Sequence, residues 1–159
     1  MKTAEDIVKD KKTEIVSVSY DQTVQQVCQL MVDNKIGAIL VKNEGSFVGI
    51  WTERDLLRNF TNPDFDPHTA RIGDYMTTRL HSVSYDTPLH KIEEMFLGLF
   101  VRHLPVDKDG ETIGMISIGD VLRASLLEKE QQFKELNEFV NWDYYENWKW
   151  GRKKGNKSA

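Results

Sequence analysis

The stretch Gly114-Met115-Ile116-Ser117-Ile118-Gly119-Asp120 predicts a short buried strand that ends at a hydroxyl side chain and turns directly into a helix. A carboxylate follows the hydroxyl three residues later. The same design occurs 65 residues upstream as Gly49-Ile50-Trp51-Thr52-Glu53-Arg54-Asp55. The sequence therefore contains two copies of one strand–turn–helix element.

The 65-residue offset extends over most of the chain without a gap. Ser17-Val18-Ser19-Tyr20-Asp21 recurs as Ser82-Val83-Ser84-Tyr85-Asp86, and Leu57-Arg58 recurs as Leu122-Arg123. A fixed period of this kind indicates a tandem duplication. Each copy has roughly 45 residues, too few to bury an adequate core alone, so the two copies must pack on each other.

Each copy is predicted to have the order strand–helix–strand–strand–helix. In the first copy, Thr23 begins a capping box, and the apolar run from 37 to 41 is typical of a strand buried on both faces. In the second copy, Thr87 is the predicted cap and Pro88 the first helical residue. The predicted fold class is α/β, with two βαββα repeats, each built on a small mixed sheet. They would pack about a pseudo-twofold axis with clefts between them, and a helical extension would follow.

The predicted boundaries are repeat 1 at 1–60, a linker at 61–71, repeat 2 at 72–128 and a tail at 129–159. Around the start of the tail lies an apolar stripe at heptad-like spacing, made of Leu122, Leu126, Phe133, Leu136 and Val140. The tail is then aromatic from 142 to 150 and basic from 151 to 157. We expect the aromatic side chains to fold back over the repeats or to pack across a dimer interface, and we expect the protein to be a homodimer. Alternatively, residues 130–157 contact a partner protein, whereas anchoring at a membrane surface is not expected.

Bulk properties exclude several classes of protein. The 159 residues suit one globular domain, and the formal net charge of −4 argues against a nucleic-acid binder, since such domains are usually basic. Cys28 is the single cysteine, so no intramolecular disulfide can form. No apolar run approaches the ~18 residues of a membrane span, and the N-terminus lacks the apolar core of a signal peptide. A cytoplasmic protein is the resulting expectation.

Four motifs make residues 3–125 resemble a tandem pair of CBS domains, which together form a Bateman module. They are the stretches 49–55 and 114–120, Ile72-Gly73-Asp74-Tyr75-Met76-Thr77, and Arg102-His103-Leu104-Pro105-Val106. The nearest likeness is to stand-alone bacterial CBS-pair proteins described as signal-transduction proteins. The resemblance implies a regulatory sensor that binds an adenosine-containing ligand such as AMP, ATP, NAD(H) or S-adenosylmethionine.

The chemistry of the repeated motif agrees with a nucleotide ligand. An ionised carboxylate only accepts hydrogen bonds, so Asp55 and Asp120 suit the two hydroxyl donors of a ribose. Phosphate favours a helix N-terminus, where Thr52 and Ser117 would add hydroxyl groups. The alternative is that these Ser/Thr-x-x-Asp patterns only cap their helices. Their repetition in matching contexts favours the nucleotide.

We expect two nucleotide sites of unequal strength. Arg102 and His103 stand where the first copy has Gly37 and Ala38, so the first site would depend on Lys35 or Arg54 for positive charge. The family pattern implies that adenine lies against Ser17 or Ser82 and near the main chain of Ala38 or His103. The expected first site is Ser17, Ala38, Thr52, Arg54 and Asp55. The expected second and stronger site is Ser82, Arg102, His103, Ser117, Asp120 and Arg123.

No catalytic centre or metal site is predicted. The chain has no Walker-type loop and no Gly-x-Ser-x-Gly elbow, and its four histidines lack metal-ligand spacing. The expected function is a non-catalytic regulatory module that binds AMP, ADP, ATP or NAD(H) between the repeats and signals by conformational change. An interaction module with vestigial pockets, acting through its tail, is the alternative. A nucleotide hydrolase is the third hypothesis.

Overall fold

The computed structural model describes residues 1–78 and 80–153, with side chains described up to residue 137 apart from that gap. Repeat 1 follows an N-terminal helix, and its elements are α1 (Ala4–Lys11), β1 (Ser17–Ser19), α2 (Val24–Asn34), β2 (Ala38–Asn43), β3 (Ser46–Thr52) and α3 (Glu53–Asn59). Repeat 2 has the matching set α4 (Ile72–Tyr75), β4 (Val83–Ser84), α5 (Leu89–Leu99), β5 (His103–Lys108), β6 (Glu111–Ser117) and α6 (Ile118–Lys153). The predicted α/β fold of two βαββα repeats with a C-terminal helical extension is confirmed.

The two sheets have the same topology. In each, the first strand pairs parallel to the middle strand, and the middle strand pairs antiparallel to the last. A register shift occurs after Val41 in one sheet and after Val106 in the other, at matching repeat positions. The duplication therefore extends to the irregularities of the backbone.

The hairpin turns explain part of the repeated sequence. Glu44 and Gly45 have φ angles of 49° and 81°, and Asp109 and Gly110 have 51° and 84°. Two successive positive φ angles match a type I′ turn, whose twist fits an antiparallel hairpin and which favours Asp-Gly. The sequence predicts both turns, at Asn43-Glu44-Gly45 in repeat 1 and at Asp109-Gly110 in repeat 2, and the structure has them there.

The helix starts are only partly as predicted. Thr23 is the N-cap of α2 and forms a complete capping box with Gln26, as expected. In repeat 2 the prediction was wrong, because Pro88 is the N-cap and α5 begins at Leu89. The cause is a pairing of the N-terminal segment with this turn: Thr3 bridges Pro88, and the Leu89 N–H donates to the Lys2 carbonyl at 2.9 Å. This pairing holds Pro88 extended.

The helices that precede the repeats are exchanged. α1 packs on β5, β6 and α6 of repeat 2, whereas α4 packs on β3 of repeat 1. Ile7 lies in the core of repeat 2 and Ile72 in the core of repeat 1, each almost fully buried. Burial of one such side chain contributes about 1.5–3 kcal/mol. Each repeat is thus completed by the helix that precedes the other repeat.

The last helix extends well beyond the repeats. Its first turns are anchored by Val121 and Ala124 in the core of repeat 2. The stripe residues are exposed: Leu122, Leu126, Phe133 and Leu136. The side chain of Val140 and those of the aromatic and basic tail lie outside the described residues. Within 1–78 and 80–153, no helix is both long and apolar enough to cross a membrane.

Candidate functional site

A cleft of about 420 Å³ lies between the two repeats, and we call it the Asp55 cleft. Repeat 1 lines it with the end of β3 and the start of α3. Repeat 2 lines it with the segment before β4 and the start of β5. The polar lining side chains are Thr52, Glu53, Arg54, Asp55, Arg58, Thr77, His81, Arg102 and His103. A ligand here would contact both repeats at once.

Asp55 caps α3 and retains one carboxylate oxygen for a ligand. Its Oδ2 accepts from the Thr52 N–H at 3.0 Å and from the Thr52 hydroxyl at 3.1 Å. In return, the Asp55 N–H donates to Thr52 Oγ1 at 3.3 Å. Its Oδ1 makes only a longer contact, 3.7 Å to Nη1 of Arg58. The capping and ligand roles are therefore compatible, because they use different oxygens.

The Asp55 cleft carries an excess of positive charge. Arg54, Arg58 and Arg102 line it together with two carboxylates, Glu53 and Asp55. Among the residues that the structure describes, Arg54 and Arg102 make no ion pair, and Arg58 makes only the long contact to Asp55. Guanidinium groups in this state are available to an anion such as phosphate, which they can bind with two parallel hydrogen bonds.

His103 is a partly buried titratable group of the cleft. Burial, reinforced by the positive charges of Lys11 and Arg102, lowers the pKa of His103, and the charges of Asp120 and Glu53 oppose this shift. The imidazole is therefore mainly neutral near pH 7 in the absence of a ligand. A bound anion would favour its protonated form.

The expected residues Ser17, Ala38 and Ser82 are not among the described residues that line the Asp55 cleft. Ala38 is buried and pairs with Thr52 across β2 and β3. Ser17 faces Leu40 in the parallel pair of β1 and β2. Ser82 is exposed and follows His81, which does line the cleft. Their role toward a ligand therefore stays a prediction.

Of the remaining expected residues, Asp120 and Arg123 line a separate, much smaller cavity of about 70 Å³ between α1 and α6, and Ser117 does not line it. Asp120 Oδ2 accepts from the Ser117 N–H at 2.8 Å, and Ser117 Oγ accepts from the Asp120 N–H at 3.1 Å. Lys11 Nζ lies 2.9 Å from the same Oδ2. Burial acts to raise the pKa of Asp120, but the bonds from Ser117 and Lys11 outweigh it and lower the pKa.

The grouping of residues differs from the sequence expectation. Arg102 and His103 were expected to serve the site at Asp120, yet their side chains line the cleft at Asp55. The reason is that the cleft is built across the repeats, with β5 of one repeat facing α3 of the other. His103 nevertheless pairs with Ser117 in the β5–β6 register, so its backbone is close to both aspartates.

Among the polar side chains described in the lining, sequence reasoning missed four: Glu53, Arg58, Thr77 and His81. Arg58 could have been found, because the 65-residue offset aligns it with Arg123, which was selected. Thr77 and His81 belong to repeat 2 and have no signal that relates them to a helix of repeat 1. The pairing of Lys11 with Asp120 had no signal either.

The CBS domain family model matches residues 4–62 and 72–127. These segments cover most of the chain and coincide with the two observed repeats. The chain therefore belongs to the CBS-domain family, as a tandem pair of CBS domains.

Known proteins of this family are similar over the same region. A mitochondrial CBS domain-containing protein of Arabidopsis thaliana, CBSX3, is 33% identical over 129 residues, which are 78% of this chain and 63% of that protein. The crystal structure of the CBS domain NE2398 has a TM-score of 0.75 and 32% identity, covering 79% of this chain and 99% of the other. The CBS domain protein PAE2072 of Pyrobaculum aerophilum, solved with AMP, has a TM-score of 0.68 and 26% identity. It is matched over 80% of this chain and 97% of its own.

Proposed function

We propose that this protein is a non-catalytic regulatory module that binds a phosphate-bearing adenine nucleotide in the Asp55 cleft. The observation that carries the proposal is the meeting of an available carboxylate oxygen with three arginines in one inter-repeat cleft. The carboxylate matches the ribose hydroxyls, and the guanidinium groups match phosphate. The structural neighbour solved with AMP supports an adenosine-containing ligand.

The size and charge of the cleft restrict the range of ligands that it can bind. A volume of about 420 Å³ falls within the range that small-molecule sites usually have. With three arginines against two carboxylates, the cleft favours an anion. AMP, ADP, ATP and NAD(H) meet this condition. S-adenosylmethionine, whose sulfonium is cationic, meets it less well.

The position of the cleft suggests how binding would be transmitted. Arg54 and Arg102 belong to different repeats, so a phosphate held by both would favour one relative pose of the repeats. A ligand can bias such an equilibrium only by its difference in affinity between the two states. The output would be a changed surface for a second copy of the chain or for a partner protein.

Self-association is part of this proposal. Exposed apolar side chains occur on α3, α5 and α6, including Leu57, Leu97, Leu122 and Leu126. Large exposed apolar patches mark interaction sites. We therefore propose a homodimer. The exposed stripe on α6 also favours the second candidate function, an interaction module that acts through its C-terminal helix.

A melting-temperature panel with AMP, ADP, ATP, NAD(H) and S-adenosylmethionine tests the function. At a hundredfold excess over Kd, one site adds about 2.7 kcal/mol. Because each kcal/mol shifts the melting temperature of a domain of this size by roughly 2–4 °C, a shift of about 5–11 °C is expected. Shifts below one degree for all five ligands would leave the interaction module as the better account, and nucleotide turnover would refute a non-catalytic role.

A further inference from the structure

The proposed ligand has three chemical parts, and two of them have counterparts in the Asp55 cleft. The carboxylate of Asp55 suits the ribose hydroxyls, and the arginines suit the phosphate. The base has no such counterpart, because Ser17, Ala38 and Ser82, which were expected beside it, are not among the described residues that line the cleft. The apolar side chains of the lining are what remains for the base.

The apolar side chains of the Asp55 cleft come mainly from repeat 2. They are Ile50 from repeat 1 and Leu80, Phe100, Val101 and Pro105 from repeat 2. The charged side chains, by contrast, lie mainly on α3 of repeat 1. Among the described residues of the lining, Phe100 is the only phenylalanine, tyrosine or tryptophan. The apolar and the charged parts of the cleft thus belong mostly to different repeats.

The ring of Phe100 lines the cleft and is nevertheless open to solvent. Phe100 follows the last residue of α5, and 83% of its surface is exposed. Covering an apolar ring removes it from water, which is favourable. A nucleotide base can do this, because the flat face of every base stacks on an aromatic side chain. The exposed ring is therefore complementary to the part of the ligand that lacks a counterpart.

The backbone at Phe100 is in the left-handed region, with φ 53° and ψ 28°. Bulky residues rarely adopt this conformation, whereas glycine does so without strain. Lys35, at the equivalent position of repeat 1, has the same φ of 53°, so the phenyl ring is not the cause of the conformation. The segment is held by Val101, which packs against the core of repeat 2, and by the Arg102 carbonyl, which accepts from the Ile118 N–H at 2.9 Å. A ring on a fixed backbone costs less entropy to order when a ligand binds.

We propose that Phe100 is the side chain on which the base of the nucleotide stacks, which makes it a specificity-determining residue of the Asp55 cleft. The base lies against repeat 2, while the ribose and the phosphate remain with Asp55 and the arginines. Loss of one base–aromatic contact weakens binding by about 5- to 150-fold. This inference rests on the proposed function, because it concerns the same ligand in the same cleft.

Isothermal titration calorimetry of the full chain with AMP tests the proposal. Phe100→Gly is expected to raise the Kd for AMP about fivefold or more, because the stacking surface is lost. Without ligand, the same variant should melt at the wild-type temperature or above it, because glycine suits the left-handed backbone. Phe100→Trp keeps an aromatic face and should bind AMP as the wild type does. Leu97→Ala is the matched control, since Leu97 is an exposed side chain of α5 that does not line the cleft, and its Kd should be unchanged.

Ribose 5-phosphate, which lacks the base, separates stacking from a contact with the rest of the ligand. Its binding should be the same in the wild type and in Phe100→Gly. An equal loss of affinity for AMP and for ribose 5-phosphate would mean that Phe100 acts on the sugar or the phosphate, or on the fold, and would reject the inference.

The remaining outcomes separate the inference from the proposed function. If the Kd for AMP rises less than about fivefold in Phe100→Gly, or if Phe100→Trp binds no better than Phe100→Gly, the inference is overturned and the proposed function stands. A changed association state of Phe100→Gly in light scattering, with AMP binding unaltered, would assign the ring to an interface between copies instead. If the wild type binds no AMP, the proposed function fails and the inference fails with it.

Discussion

Gly37 and Arg102 occupy equivalent positions in the two repeats, and the carbonyl of each accepts from the first N–H of the following helix. The Glu53 N–H lies 3.1 Å from the Gly37 oxygen, and the Ile118 N–H lies 2.9 Å from the Arg102 oxygen. The backbone is therefore the same in both repeats, but only one of the two positions carries a guanidinium. A symmetric framework thus holds an asymmetric distribution of charge, and the charge is concentrated on the Asp55 cleft.

Asp55→Asn should weaken nucleotide binding tenfold or more, which corresponds to about 1.4 kcal/mol. The amide replaces one acceptor oxygen by a donor, but it keeps the shape and caps a helix about as well as aspartate does. Calorimetry measures the affinity, and urea unfolding without ligand should show little change. Unchanged affinity together with a clear loss of stability would mean that Asp55 serves only as a cap.

Arg102→Ala should weaken ATP binding by about tenfold and leave adenosine binding nearly unchanged, because the guanidinium is expected to contact phosphate. The effect should shrink as salt increases. Arg71→Ala is a suitable control, since Arg71 pairs with Asp21 at 3.2 Å and does not line the cleft. Equal losses for adenosine and ATP would contradict a phosphate contact.

Nucleotide binding should become tighter as the pH falls from 8 to 6, because a bound phosphate raises the lowered pKa of His103 and binding takes up a proton. In the absence of ligand, the stability of the fold changes with pH in the opposite direction and decreases as the pH falls. Since the unfolded chain binds this proton more readily, His103 destabilises the fold as the pH falls below its unfolded value of about 6.5.

His103→Gln is the comparison that isolates the imidazole, because the phosphate of the ligand can itself take up a proton near pH 6. Titration of ADP in buffers of different ionisation enthalpy measures the proton uptake. The same uptake in the wild type and in His103→Gln would assign it to the ligand alone.

Gly49→Ala should destabilise the fold by about 1–3 kcal/mol, the usual cost of overpacking. An added Cβ would lie 2.3 Å from Met76 Sδ and 3.0 Å from the Thr77 carbonyl oxygen, where α4 covers β3. Gly98→Ala is the matched control, because nothing lies within 4 Å of its Cβ position in α5. That change should stabilise the protein by about 0.5–1 kcal/mol, and urea unfolding measures both.

The full chain should be a homodimer in light scattering at tens of micromolar. The informative comparison is a chain that ends at Glu128 and so lacks most of α6. If the shortened chain is also a dimer, the repeats form the interface and the rest of α6 is free for another partner. If both are monomers, the homodimer is rejected.

Much of the fold could be predicted because its signals are local. The alternating and apolar runs gave the strands, and the positive φ angles at Glu44-Gly45 and Asp109-Gly110 followed from turn chemistry. The N-cap at Pro88 was missed because the segment that pairs with it begins at Lys2. The 65-residue offset nevertheless aligns Pro88 with Thr23, the N-cap of α2, so the repeat itself contained a signal for this position.

In the candidate site, too, the local features could be predicted from the sequence and the contacts between distant segments could not. Thr52, Arg54, Asp55, Arg102 and His103 were selected from motifs, and all five line one cleft, although their role toward a ligand stays a prediction. Their grouping depends on how one repeat faces the other, which no residue spacing within a repeat encodes. The Lys11–Asp120 pair joins residues 109 positions apart and was beyond any pattern in the sequence.

The exchange of α1 and α4 has a consequence for the order in which the chain can fold. During synthesis α1 emerges before repeat 2, and the surface that buries Ile7 is complete only when β6 and the start of α6 have followed. The core of repeat 1 is likewise incomplete until Ile72 has been synthesised. Contacts as distant as Glu5 with Lys108, 103 positions apart, raise the contact order and slow folding. A nascent chain released before Asp120 would therefore expose Ile7 and its neighbours, and the two repeats would become stable together rather than in succession.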